Sequence, residues 1–205
     1  IPYVFIEKFV EGKSAKEILQ GISEVIKKIE FPKQMKWGNN SYQYVRPIHW
    51  LVALLDDEVV PFEVFDVETG QVSQGHRFLG KEVTIYHPNE YVDKLNEQFV
   101  MVDRLKRKEE IVQQIKALCE KMNWHVPNKQ NELLEEVTDL VEYPTAFYGK
   151  FDESYLELPD VVLETSMRDH QRYFPVRSND SEEKLLAFFI SVRNGDKNHL
   201  ENVAR

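Results

Sequence analysis

Only one cysteine, Cys119, stands in 205 residues, so no internal disulfide can form, and nothing resembles a secretory signal. No uninterrupted apolar stretch exceeds six residues, as at 50–55, whereas a membrane helix needs about 20. Glycine is scarce, with eight residues, and Gly70, Gly75 and Gly80 make neither a G-x-G-x-x-G nor a P-loop. A G-x-S-x-G nucleophile elbow is also missing. None of the six histidines is spaced as H-x-H or H-x-x-x-H, and Asp169 and His170, as helical neighbours, point about 100° apart. These absences argue against a secreted disulfide scaffold, a membrane span, a phosphate-cradling enzyme, a serine hydrolase and a metal centre. The expectation is a soluble protein of a reducing, cytoplasmic compartment, with Cys119 a buried and inert thiol on a helix stripe.

Charge is abundant but uneven. The chain carries 26 basic and 35 acidic residues, a net −9, which by itself disfavours a generic nucleic-acid binder. The whole excess sits in 130–164, where ten acids face Lys150 alone. Three stretches are poor in acids instead. Residues 31–50 hold Lys33, Lys36 and Arg46 with no acid, 71–81 hold Arg77 and Lys81 with none, and 167–177 hold Arg168, Arg172 and Arg177 against Asp169. Each is compatible with an ordinary mixed surface; together they leave open a mildly basic, aromatic-lined face on an acidic body.

Periodicity gives the elements. Ser14 and Glu17 form a capping box, and Ile18, Leu19, Ile22, Val25, Ile26 and Ile29 follow at helical spacing, which predicts a helix over 14–29. Residues 48–55 and 59–67 flank Asp56-Asp57-Glu58 as a hairpin, with Pro61 favouring an edge strand. Further helices are predicted from Pro88 to about Phe99 and over 103–122, 131–141 and 159–170. Strands are predicted over 2–6, 82–86, 143–151, 173–176 and 185–193, the last apolar enough to be central in a sheet. The mixed order implies an α+β fold with a mixed or antiparallel sheet, as one large domain or two closely packed subdomains divided near 100–130. The polar run 178–184 is the best candidate for a mobile loop. The start at Ile1 and the end at Arg205 without a stop signal read as a piece of a longer polypeptide.

The densest cluster of functional side-chain types is Met167-Arg168-Asp169-His170-Gln171-Arg172-Tyr173-Phe174-Pro175, at a helix-to-strand junction. Two readings stand side by side. The arginines contact phosphate while His170 and Gln171 hydrogen-bond a partner, or the group ties a helix end to a sheet, where cations are expected anyway. Gly75-His76-Arg77-Phe78 admits the same pair of readings.

Five blocks carry a family resemblance. Phe31-Pro32-Lys33-Gln34-Met35-Lys36-Trp37-Gly38, Tyr44-Val45-Arg46-Pro47-Ile48-His49-Trp50-Leu51-Val52-Ala53-Leu54 and Gly75-His76-Arg77-Phe78 resemble successive blocks of the β subunit of bacterial glycyl-tRNA synthetase. Glu135-Glu136-Val137-Thr138-Asp139-Leu140-Val141-Glu142-Tyr143-Pro144 and the 167–175 block continue in the same order. The resemblance implies a fragment from the N-terminal half of that subunit, within a cytoplasmic heterotetrameric ligase that attaches glycine to tRNA-Gly. It implies that glycine activation, with its ATP and Mg, belongs to a separate α subunit, so this piece has no cofactor or catalytic residue of its own. The implied partners are that α subunit, tRNA-Gly and the remaining β-subunit domains. The implied fold resembles the editing-domain region of the phenylalanyl-tRNA synthetase β subunit. The family's short glycine turn before Leu185 is replaced here by the glycine-free 178–184 run.

Three functions follow for the fragment. As an RNA-positioning module it would use Lys33, Lys36, Arg46, Arg77, Arg168, His170, Gln171 and Arg172, with Trp37 either stacked on a base or packed in the core. As a structural segment it would buttress assembly, its arginines paired with carboxylates. Hydrolytic editing of mischarged tRNA is disfavoured, because glycine is the smallest amino acid and a tight pocket excludes the others sterically.

Overall fold

The computed structural model describes residues 3–38, 41–127, 130–180 and 184–198. Two compact units emerge, one of Ile1–Ser73 with Thr84–Tyr91, the other of Gln74–Val83 with Val92–Arg205.

In the first unit the predicted helix is two short ones, α1 (Ala15–Gln20) and α2 (Ile22–Lys27). The capping box forms as read, with the Ser14 hydroxyl accepting from Glu17 N–H and the Glu17 carboxylate accepting from Ser14 N–H. The break falls at Gly21, a residue that costs a helix about 1 kcal/mol relative to alanine. The apolar stripe is only partly covered: Leu19 and Ile26 are half-buried, whereas Ile18 and Val25 are 59% and 61% exposed. Of the strand expected at 2–6, Pro2 lies outside the described residues and residues 3–6 form no strand. Residues 3–14 have no regular structure and Val4, Phe5, Ile6 and Phe9 lie open to solvent. A strand needs a neighbour for its backbone groups, and this segment pairs with no described strand.

The hairpin at 54–59 is real, β2 (Leu54–Leu55) against β3 (Glu58–Val59), turning through Asp56 at φ 54°. The rest of the predicted pair is cut into shorter pieces: β1 (Leu51–Val52), β4 (Glu63–Val64) and β5 (Val67–Gly70). They form a mixed sheet in the order β1-β5-β4, with β5 parallel to β1 and antiparallel to β4. Pro61 explains the break, since it has no N–H to give a ladder. The Thr69 hydroxyl bridges the gap, donating to Val60 O at 2.7 Å and accepting from Phe62 N–H at 3.0 Å. Phe65 and Asp66, both at positive φ, turn β4 into β5. The Phe65 ring, bulky for that backbone region, is buried against Trp37, Tyr42 and Tyr44 at 5.1–5.6 Å between ring centroids.

The chain leaves the first unit in β6 (Val72–Gln74) and returns in β7 (Glu82–Thr84); α3 (Tyr91–Glu97) follows a 3-10 turn at Pro88–Glu90. The second unit is built on α4 (Arg104–Met122), β8 (Trp124–His125), α5 (Asn131–Leu140), β9 (Pro144–Lys150), α6 (Asp160–Thr165), β10 (Phe174–Ser178) and β11 (Leu185–Asn194). The Asp103 carboxylate caps α4 by accepting from Leu105 and Lys106 N–H, and Asn123 ends it at φ 55°. Every pairing in the sheet, in the order β8-β10-β11-β9, is antiparallel, and β11 lies inside it as its apolar sequence predicts. Ile111, Ile115, Leu133 and Val137 from the helices meet Trp124, Phe174, Val176 and Ile190 from the sheet in one core. The architecture is α+β with mixed and antiparallel sheets. Beyond α6 the predicted helix widens into a π-helical turn, Ser166–Gln171, closed by Arg172 at φ 59°. Of the predicted loop at 178–184, residues 181–183 lie outside the described residues, as do 1–2 and 199–205 at the two ends.

Candidate nucleic-acid interface

The eight candidate residues separate by what their side chains touch. Arg168 Nε donates to the Asp169 carboxylate at 2.7 Å. Arg172 Nε donates to Glu136 on α5 at 2.5 Å, and its guanidinium also donates to the Asp169 carbonyl. Arg177, one strand further, bonds Asp160 at 2.9 Å and Glu164 at 2.6 Å, both on α6. The hydrogen bond from Arg168 holds the Asp169 carboxyl below its ordinary range, and Asp169 in turn raises Arg168. Tyr173 stacks face to face on Phe189, with centroids 4.1 Å apart. Arg172 thus ties the end of the π-helical turn to α5 and Arg177 ties β10 to α6, whereas the Arg168–Asp169 pair stays within the turn. His170 and Gln171 remain exposed.

The acid-rich segment is neutralised in the same manner. Arg104 bridges Glu135 and Asp139 at 2.8 and 2.6 Å, Lys108 also bonds Glu135, and Lys150 bonds Glu153. Much of the negative excess in 130–164 therefore faces cations from elsewhere in the unit. Hydrogen bonds from Lys108 and Arg104 hold the Glu135 carboxyl below its ordinary value of 4.5, and Arg104 does the same for Asp139 against 3.8. A carboxyl depressed by folding binds fewer protons in the native state, so its stabilisation is complete above those ordinary values and is lost as pH falls through them and beyond. An Arg104→Gln variant is therefore expected to melt below the wild type at pH 7, with the difference narrowing as the pH is lowered through the carboxylate range. Thermal melts by circular dichroism across pH test this; a difference that stays constant to acid pH would contradict it.

Lys33, Lys36 and Arg46 are arranged otherwise. Met35 and Tyr44 form an isolated antiparallel bridge, with N–H···O distances of 2.8 and 3.2 Å, which lays the Lys33–Lys36 segment beside the approach to Arg46. Phe31 meets Tyr44 edge-on at 4.9 Å, and Trp37 is half-buried edge-on to Phe65. Trp37 thus packs in the first unit. All three cations are exposed, and none has an ion pair or hydrogen bond among the described residues.

Arg77 lies on a braced loop of the second unit. Gly75 N–H donates to Lys81 O at 3.0 Å and Gly80 N–H to His76 O at 2.8 Å. Gln98 ties the loop from outside, its carbonyl accepting from His76 N–H at 2.8 Å and its side-chain oxygen from Lys81 N–H at 3.0 Å. His76 is buried, and its Nδ1 accepts from Phe78 N–H at 3.3 Å, which leaves the ring proton on Nε2. The two following side chains point out: Phe78 is 81% exposed, and the Arg77 guanidinium lies over its ring at 5.5 Å from the centroid. Sequence reasoning selected Arg77 but passed over Phe78; the signal was an aromatic in an acid-free stretch between two glycines.

Within the second unit a cavity of about 520 Å³ opens between α4, β8 and the start of α5. Its walls include Ile115, Trp124, Leu134 and Phe174, and its polar groups include Lys116, Glu120 and His125. His125 Nδ1 is 3.1 Å from Asn179 Oδ1. Burial pushes the Cys119 thiol up, which makes it a weak nucleophile.

Comparison with known proteins follows the same blocks. The family model of the glycyl-tRNA synthetase beta subunit matches residues 1–205. The chain is 54% identical over 204 residues to the glycine–tRNA ligase beta subunit of Pediococcus pentosaceus and 55% identical over 205 residues to that of Lactiplantibacillus plantarum, covering 99% of this chain in each case. The Halalkalibacterium halodurans protein of the same name is 49% identical over 203 residues. The chain spans 29% of the length of each of these relatives.

Proposed function

Because this chain belongs to the glycyl-tRNA synthetase beta subunit family, we propose that it is the part of a glycine–tRNA ligase that positions tRNA-Gly and helps assemble the enzyme. In this reading glycine is activated with ATP and Mg on a separate α subunit, in a cytoplasmic heterotetramer. This segment supplies no reacting group and works through shape, cations and stacking surfaces.

One observation carries the RNA half of the proposal: Lys33, Lys36 and Arg46 are exposed and unspent, whereas Arg168, Arg172 and Arg177 are engaged by carboxylates. A phosphate meeting the first group gains a contact without breaking one. A phosphate meeting the second must displace a carboxylate. The assembly half rests on the apolar residues of α1 and α2, where Ile18, Ile22 and Val25 are left exposed.

The test is tRNA-Gly binding to the assembled synthetase across a salt series. Each phosphate contact adds about 0.7–0.9 to the slope of log affinity against log salt. Replacing Lys33, Lys36 and Arg46 together by glutamine is expected to flatten that slope by about 2. Arg168→Ala/Arg172→Ala is expected to change it far less. An unchanged slope in the triple variant would remove the phosphate-contacting role.

A further inference from the structure

We propose that the Arg77–Phe78 tip is a stacking platform for an unpaired base of the bound tRNA, with Arg77 close enough to take the adjoining phosphate. The inference rests on the tRNA-positioning reading above and assigns that reading a specific contact.

Three features of the loop point this way. Phe78 is 81% exposed, and its neighbours within the loop are the Arg77 guanidinium and the His76 ring, so most of its apolar surface faces water. The ring stands on a braced loop, whose backbone is pinned by the His76 ring and by Gln98. A Cβ on Gly75 would fall 2.6 Å from Gln98 Cβ, and one on Gly80 would fall 2.4 Å from Gln98 O, so the loop is seated against Gln98 with no space between. The platform is therefore pre-organised, and binding need not spend free energy on ordering it.

The chemistry of the exposed face selects the ligand. Arg77 lies over the Phe78 ring at 5.5 Å, and His76 flanks it at 6.2 Å between ring centroids. An exposed aromatic ring with a guanidinium 5.5 Å from its centroid suits a planar, electron-rich base joined to an anion. The stretch 71–81 adds Lys81 and contains no carboxylate to repel a phosphate. A hydrophobic protein patch would be better served by a broad apolar surface than by one ring beside the Arg77 guanidinium.

The experiment uses the assembled synthetase and tRNA-Gly transcript, with Phe78→Ala, Phe78→Leu, Phe78→Tyr and Arg77→Gln. Stacking on one base predicts that Phe78→Ala and Phe78→Leu weaken tRNA binding by roughly tenfold while Phe78→Tyr stays near wild type. Arg77→Gln is expected to weaken binding and to lower the salt slope by about 1. Sedimentation of each variant is expected to show intact subunit assembly. Full rescue by leucine would overturn stacking, since leucine fills the same space without a π-face. Subunit dissociation in Phe78→Ala would overturn it in favour of a protein contact. Unchanged affinity in Phe78→Ala, with the Lys33/Lys36/Arg46 variant still defective, would remove this contact and leave the broader reading standing. If that triple variant is also unchanged, the broader reading falls with it.

Discussion

Truncating Phe174 to alanine is expected to destabilise the second unit by about 3–5 kcal/mol, the range for removing a fully buried aromatic ring. Phe174 is 2% exposed, on β10 between β8 and β11. It belongs to the core that joins the sheet to α4 and α5, with Ile111, Ile115 and Trp124 in the same cluster. The surrounding groups are poorly placed to collapse into the gap. Ile190 is held by strand pairing opposite Phe174, and the 520 Å³ cavity already adjoins the ring. Total stabilities of about 5–15 kcal/mol make this a loss of about a fifth or more. Urea denaturation followed by fluorescence reports it, because Trp124 sits within the affected core. With two units the chain can unfold in two steps, so the shift is expected in the transition that carries Trp124. A loss below about 1 kcal/mol would show that this core is not the one holding the sheet to its helices.

Gly80→Ala is the second large effect, and it joins stability to function. The new Cβ would lie 2.4 Å from Gln98 O and 2.5 Å from His76 N. Both are backbone atoms, so neither can swing aside as a side-chain tip would. Relief requires the loop to lift from Gln98, which breaks the His76 N–H and Lys81 N–H bonds to that residue. Overpacking of this kind costs about 1–3 kcal/mol. The lifted loop no longer presents Arg77 and Phe78 in one geometry, so tRNA-Gly affinity is expected to fall although neither residue has been changed. Gly12→Ala is the internal comparison, since no atom lies within 4 Å of the position its Cβ would take. That variant is expected to stay within about 0.5 kcal/mol of wild type in chemical denaturation. Equal effects at the two glycines would refute the packing argument.

Helices α4 and α5 and strands β9 and β11 were legible from sequence because their information is local. The apolar stripe of α4 through Ile111 and Ile115 repeats within a few turns of helix. The hairpin of β2 and β3 was legible for the same reason, its acidic turn lying between two apolar runs. The break at Gly21 was less so, because a glycine in an otherwise periodic run is tolerated or not according to what its neighbours pack against. Strand β8 is two residues long and exists only because β10 pairs with it.

The candidate site divides along the same line. Composition and motif blocks alone determined that the chain is α+β, belongs with the glycyl-tRNA synthetase beta subunits and carries cations in three acid-poor stretches. They could not distinguish an arginine free for phosphate from one already spent. Arg172 meets Glu136, 36 residues earlier, and Arg104 meets Asp139, 35 residues later. Those pairings arise only once α4, α5 and the π-helical turn are packed. Tertiary structure likewise decided that Trp37 is packed while Phe78 is displayed, since burial depends on which distant surfaces arrive over a ring. The range of the interaction separates the two: backbone periodicity and capping act within about four residues, whereas charge pairing and burial act between segments brought together by folding.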